Sequence, residues 1–176
     1  PWCPWLYDSY KLELYKDLEP IREIGFEQDS LTLKYTEEAV SFIKESSADE
    51  PFFLYLAHSM PHLPIATLPS LRGSSAAGLY GDVIQTLDRS MGEIQKTLKE
   101  KNIQENTLVI FTSDNGPWLN IPDRMLQNGV ELWHGGSKGP LRGCKQTSYE
   151  GGFRVPGIMN WPESIPGGQL IHQSAN

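Results

Sequence analysis

Two short apolar runs, residues 52–57 and 108–111, each stop abruptly at polar side chains, and a long amphipathic stretch lies between them. An order of strand, helix, strand restricts a chain to few topologies, because the crossover that joins two strands of one sheet through a helix is right-handed and makes them parallel. The expected architecture is therefore α/β, a layered sheet with helices on both faces. Both runs are continuous rather than alternating, as in strands covered on both sides. The chemistry of such sheets collects at the carboxyl ends of the strands.

The second run continues into Thr112, Ser113, Asp114, Asn115, Gly116 and Pro117. A carboxylate beside an amide carbonyl gives two hard oxygen donors, suited to Ca²⁺ or Mg²⁺ and poorly suited to zinc. Asp-Asn-Gly is also a common turn sequence and needs no ligand to explain it. The first run is followed by His58 and His62, the second of them flanked by Pro61 and Pro64, which hold the backbone extended and turned. A histidine just past a strand can be a plain hydrogen-bonded loop residue, so only a shared cleft would give the pair a function.

The helices follow from periodicity. Leu31, Tyr35, Ala39, Phe42 and Ile43 recur at helical spacing behind Ser30, a good N-cap, and predict a helix over 31–46. Its other face, Thr36, Glu37, Glu38, Lys44 and Glu45, reads as solvated. Ile84, Leu87, Met91, Ile94 and Leu98 predict a longer helix over 79–101, with Asp82, Asp88 and Arg89 as solvated or helix-end charges. Nearer the start, Tyr10, Leu12 and Leu14 alternate as in a half-buried strand, which Pro20 then interrupts. After Pro117 a loop runs to about residue 150, rich in glycine and carrying His134, Lys138, Arg142 and Lys145. Loops of that length inside compact domains are usually functional. Residues 155–161 offer one more strand.

A formal charge of −7 over 176 residues argues against nucleic acid as the main partner, because phosphate binding wants a concentrated basic face. A few cations inside a cleft can still bind an anion. The longest apolar run is far short of the roughly 20 residues that span a bilayer. Cys3 and Cys144 form neither a Cys-x-x-Cys pair nor a disulfide framework, and Cys3 reads as a buried small hydrophobe. The first residues have no methionine, basic n-region or apolar h-region, so the chain is expected to be a piece of something longer.

Several separated motifs agree with one family. Phe-Phe-Leu-Tyr-Leu-Ala-His-Ser-Met-Pro-His-Leu-Pro (52–64) resembles the strand and histidine loop of the sulfatases, arylsulfatase type, of the alkaline phosphatase-like superfamily. Thr-Leu-Val-Ile-Phe-Thr-Ser-Asp-Asn-Gly-Pro (107–117) is similar to their second metal-ligand strand. Gly-Ser-Lys-Gly-Pro-Leu-Arg-Gly-Cys-Lys-Gln-Thr-Ser-Tyr-Glu-Gly-Gly-Phe-Arg-Val-Pro (136–156) is similar to their lysine loop.

The resemblance implies a sulfuric ester hydrolase with a bound Ca²⁺, in which Asp114 and Asn115 are metal ligands and His62 and Lys145 are catalytic. It also implies a formylglycine nucleophile made from a cysteine in a Cys-x-Pro-Ser-Arg motif. Cys3 precedes Pro-Trp and Cys144 precedes Lys-Gln, so neither fits. Residues 1–176 are accordingly expected to form a partial catalytic domain, without its nucleophile region or its C-terminal subdomain, and to be inactive alone. Implied partners are a sulfated small molecule or glycan, and the implied compartment is lysosomal or extracellular, periplasmic in a bacterium. Two other functions remain open: a phosphoester or phosphonate hydrolase of the same superfamily, and a catalytically dead protein that binds sulfated glycans.

Overall fold

Two helices and the turns that leave them organise the computed structural model, which describes residues 12–24, 28–47, 49–122, 126 and 129–173. Helix α1, Leu31–Glu45, buries Leu31, Thr32, Thr36, Ala39 and Ile43. Helix α2, Gly78–Glu100, packs against it and buries Val83, Leu87, Ser90, Ile94, Thr97 and Leu98 on one stripe. Both helices start and stop within a residue of the limits set by periodicity. Ser30 does stand at the N-cap of α1, but its backbone is already helical and its hydroxyl caps nothing. The stripe on α2 is also rotated slightly, so that Ile84 is exposed and Ser90 takes a core place.

Along α2 sit two apolar clusters. Val83 and Leu87 join Met60, Leu63, Ile65, Ile121 and Val130 in one, which holds the loop after residue 57 and the long glycine-rich loop against the helix. Ile94 and Leu98 join Ala39 and Ile43 in the other, with Phe52, Leu54, Leu56 and Val109 packed on its side.

Residues 52–57 form no hydrogen-bonded strand among the described residues. Phe52, Leu54 and Leu56 are half-buried against the helices, whereas Phe53 and Tyr55 are 87% and 80% exposed. The alternation is that of an extended segment covered on one side, not both. Strand β3, Val109–Thr112, pairs antiparallel with β4, Gly157–Asn160, rather than parallel with the first run. The expected crossover thus appears as two extended segments flanking α2, without a ladder between them. Nearer the start, β1, Leu12–Lys16, and β2, Glu19–Ile24, form an antiparallel hairpin through a two-residue turn in which Asp17 has φ 56°. Pro20 does not interrupt it: Pro20 pairs with Tyr15, beside a bulge at Leu14 and Tyr15. Tyr10 and Cys3 lie outside the described residues.

Two polar residues read as solvated are core residues. Thr36 is buried and bonded to α2, and Asp82 is 2% exposed. The Asp82 carboxylate accepts the backbone N–H groups of Gly73 and Ser75, both at 2.8 Å, and the Ser74 hydroxyl, pinning the loop before α2 onto its first turn. Burial acts to raise its pKa, but these donors outweigh it and hold the group below the ordinary 3.8. A depressed carboxyl pKa contributes stability that is complete above the unfolded value and is lost as pH falls through the folded one. We expect Asp82→Asn to cost about 2 kcal/mol near neutrality. Thermal unfolding across acid pH checks this: the variant should lose less stability than the parent below pH 3.8. An unchanged acid limb would refute the assignment.

Candidate active site

The end of β3 and the glycine-rich loop meet backbone to backbone. The Gly116 N–H donates to the Gly152 carbonyl and the Lys145 N–H to the Pro117 carbonyl, both at 2.9 Å. The contact is close enough that a Cβ on Gly116 would strike the Gly151 carbonyl oxygen, and one on Gly152 would come 2.5 Å from the Thr147 carbonyl. The lysine turn itself closes on Thr147, whose hydroxyl accepts the Cys144 N–H at 3.1 Å and donates to the Cys144 carbonyl at 2.7 Å. Lys145 and Gln146 ride its tip, and Gln146 has φ 76°, a left-handed conformation uncommon outside glycine.

This junction opens a cleft of about 390 Å³ lined by Asn115, Lys145, Gln146, Thr147, Ser148, Gly152 and Phe153. Two of the four residues expected at a site, Asn115 and Lys145, therefore share one cavity. Asp114 stands beside it, exposed. Gln146, Thr147, Ser148 and Phe153 carried no separate sequence signal beyond their neighbourhood to Lys145. A cation, an amide and two hydroxyls around one cavity suit an oxyanion.

His62 comes from the other loop. The turn that presents it is closed by its own N–H on the Ser59 carbonyl at 3.2 Å, and its Nδ1 lies 2.7 Å from the Leu63 carbonyl. A carbonyl only accepts, so Nδ1 carries the proton there and Nε2 is left for other work. Burial lowers its pKa below 6.5, the Leu63 carbonyl opposes this, the Lys145 ammonium adds to the lowering and the Asp114 carboxylate opposes it. The field of both charged site residues thus reaches the ring. His58 and His134 stay outside the cleft. His134 is buried in a 3₁₀ turn, Leu132–Gly135, where its Nδ1 accepts the Glu131 N–H.

Asp114 and Asn115 are the right kind of donor for a hard cation, but roughly six to eight oxygens surround Ca²⁺. Among the described residues no three His, Cys, Asp or Glu side chains come together as a metal site. The pair fits calcium in kind and supplies part of a shell.

The sulfatase family model matches residues 5–176. The chain belongs to the sulfatase family. It is 42% identical over 146 residues to dog N-acetylgalactosamine-6-sulfatase, covering 82% of this chain and 26% of that protein. To the N-acetylgalactosamine-6-O-sulfatase of Bacteroides thetaiotaomicron it is 41% identical over 131 residues, 74% of this chain and 25% of that one. Among solved structures, the PsFucS1 sulfatase of Pseudoalteromonas sp. superposes with a TM-score of 0.71 at 33% identity, over 86% of this chain and 29% of that one. This sulfatase chain spans about a quarter of the length of the curated relatives it matches. Its α/β character, with small sheets and packed helices, is that of the alkaline phosphatase-like superfamily.

Proposed function

We propose that residues 1–176 are part of one catalytic domain that hydrolyses sulfate esters of glycans with a bound Ca²⁺, held in part by Asp114 and Asn115. The observation that carries this reading is the cleft shared by Asn115 and Lys145, within reach of the field of His62. The glycan class is supported by the printed names of the relatives, N-acetylgalactosamine-6-sulfatases among them. A lysosomal or extracellular location, or a periplasmic one, accompanies it.

In this mechanism the Lys145 ammonium holds a sulfuryl oxygen as charge builds there. His62, fixed through Nδ1 on the Leu63 carbonyl, gives the departing alcohol oxygen a proton from Nε2. When bound, the ion supplies positive charge against the other sulfuryl oxygens. The nucleophile lies outside these residues, since no Cys-x-Pro-Ser-Arg segment occurs in them.

The test is metal content together with turnover. In the complete gene product, Asp114→Ala should lose stoichiometric calcium and sulfate ester hydrolysis together. Full calcium in that variant would overturn the ligand assignment. Residues 1–176 expressed alone, with an aryl sulfate and excess Ca²⁺, should show no turnover, and metal-dependent turnover there would refute the partial-domain reading.

A further inference from the structure

His58 precedes His62 by one turn of loop and takes no part in the cleft, yet it is anchored more firmly than a loop residue needs to be. Its Nε2 lies 3.0 Å from the Ser90 hydroxyl on α2. Ser90 Oγ lies 2.6 Å from Thr36 Oγ1 on α1, and Thr36 Oγ1 lies 2.6 Å from the Thr32 carbonyl. Each hydroxyl has one hydrogen, and the carbonyl at the end of the line can only accept. Thr36 therefore donates to Thr32, Ser90 donates to Thr36, and His58 donates to Ser90 through Nε2–H. That direction satisfies every hydroxyl in the line and fixes the tautomer of His58. Ser90 and Thr36 are 4% and 5% exposed, so the line runs through the seam between the two helices, where an unmade bond is costly. Burial lowers the His58 pKa from 6.5, which keeps the ring neutral, and Tyr35 packs nearby with ring centroids 6.3 Å apart.

Beyond His58 the chain makes the turn from Ser59 to His62, then buries Leu63 and Ile65 in the cluster under α2. The histidine loop is thus held at both ends, by a polar bond to Ser90 before the turn and by apolar packing after it.

We propose that His58 is a positioning residue for His62, setting the aim of its Nε2 through the line from Ser90 to Thr36. The inference rests on the reading of His62 as proton donor to the leaving oxygen. A donor that is merely displaced no longer helps where help is needed, so the loss grows as the leaving alcohol becomes poorer. Misplacement of about 1 Å can cost on the order of 100-fold, and a loosened loop should cost a fraction of that.

The complete gene product is assayed against aryl sulfates of graded leaving-group pKa, as wild type and as His62→Ala, His58→Leu, His58→Gln and Ser90→Ala. We expect His58→Leu and Ser90→Ala to lose on the order of 10-fold more toward the poorest leaving group than toward the best. His58→Gln, whose amide N–H can still reach Ser90, should stay near wild type. Equal losses across the series in His58→Leu and Ser90→Ala would make the line merely structural and overturn the inference, as would a His58→Gln as impaired as His58→Leu. If His58→Leu does not fold, Ser90→Ala, which removes one oxygen, carries the same test. If His62→Ala itself leaves the dependence on leaving group unchanged, the proton-donor reading falls first and the positioning inference falls with it.

Discussion

Lys145→Ala should lower turnover of sulfate esters by on the order of 100-fold or more in the complete gene product, with the larger change in kcat rather than KM. The ammonium rides a turn held by the Thr147 hydroxyl and by its own N–H on the Pro117 carbonyl, so it meets the substrate already in place. Preorganisation of that kind acts on charge that develops in the transition state, and its loss cannot be recovered by tighter binding. Lys145→Arg should not rescue, because a planar fork on a longer side chain presents its charge elsewhere. A Lys145→Ala enzyme with intact kcat and only a raised KM would assign the lysine to ground-state binding.

Gly116→Ala should be nearly as damaging although it removes no functional group. The added Cβ would meet the carbonyl oxygen of Gly151, with the Gly151 carbonyl carbon at 2.9 Å and the Gly152 Cα at 3.3 Å. Those are backbone atoms, and they cannot swing aside as a side chain would. The two loops must part, and with them Asn115 and Lys145. A loss on the order of 100-fold in kcat/KM is expected from such a displacement. Gly157→Ala is the control, since a Cβ there meets nothing within 4 Å. Similar behaviour of the two variants would show that the stacked glycines do not set the cleft.

The helices were legible because their limits depend on local spacing, and the apolar positions 31, 39, 43, 87, 94 and 98 are buried where periodicity put them. Asp82 and Thr36 were misread for the opposite reason. A polar side chain is buried only when partners arrive, and those of Asp82 and Thr36 come from loop residues 73–75 and from Ser90. Residues 52–57 were legible as extended but not as half-covered, because coverage belongs to the neighbours of a segment rather than to its own pattern. For the site, strand ends and loop length pointed to Asp114 and the glycine-rich loop, whereas Lys145 and His62 were singled out by resemblance to the sulfatases. What brought Asn115 and Lys145 together is a contact between glycine backbones, and glycine count alone does not say which glycines touch.

Helix α2 enters both apolar clusters, through Val83 and Leu87 at one end and Ile94 and Leu98 at the other. At about 1.5 Å per residue, its 23 residues form a rod roughly 34 Å long, and neither cluster can melt without baring part of it. The loop that carries His62 is seated on the first cluster and α1 on the second, so local opening at either end is resisted from the other. Slow amide exchange should therefore extend through Ser90, midway along the rod, and the two halves should open as one cooperative unit rather than fray separately.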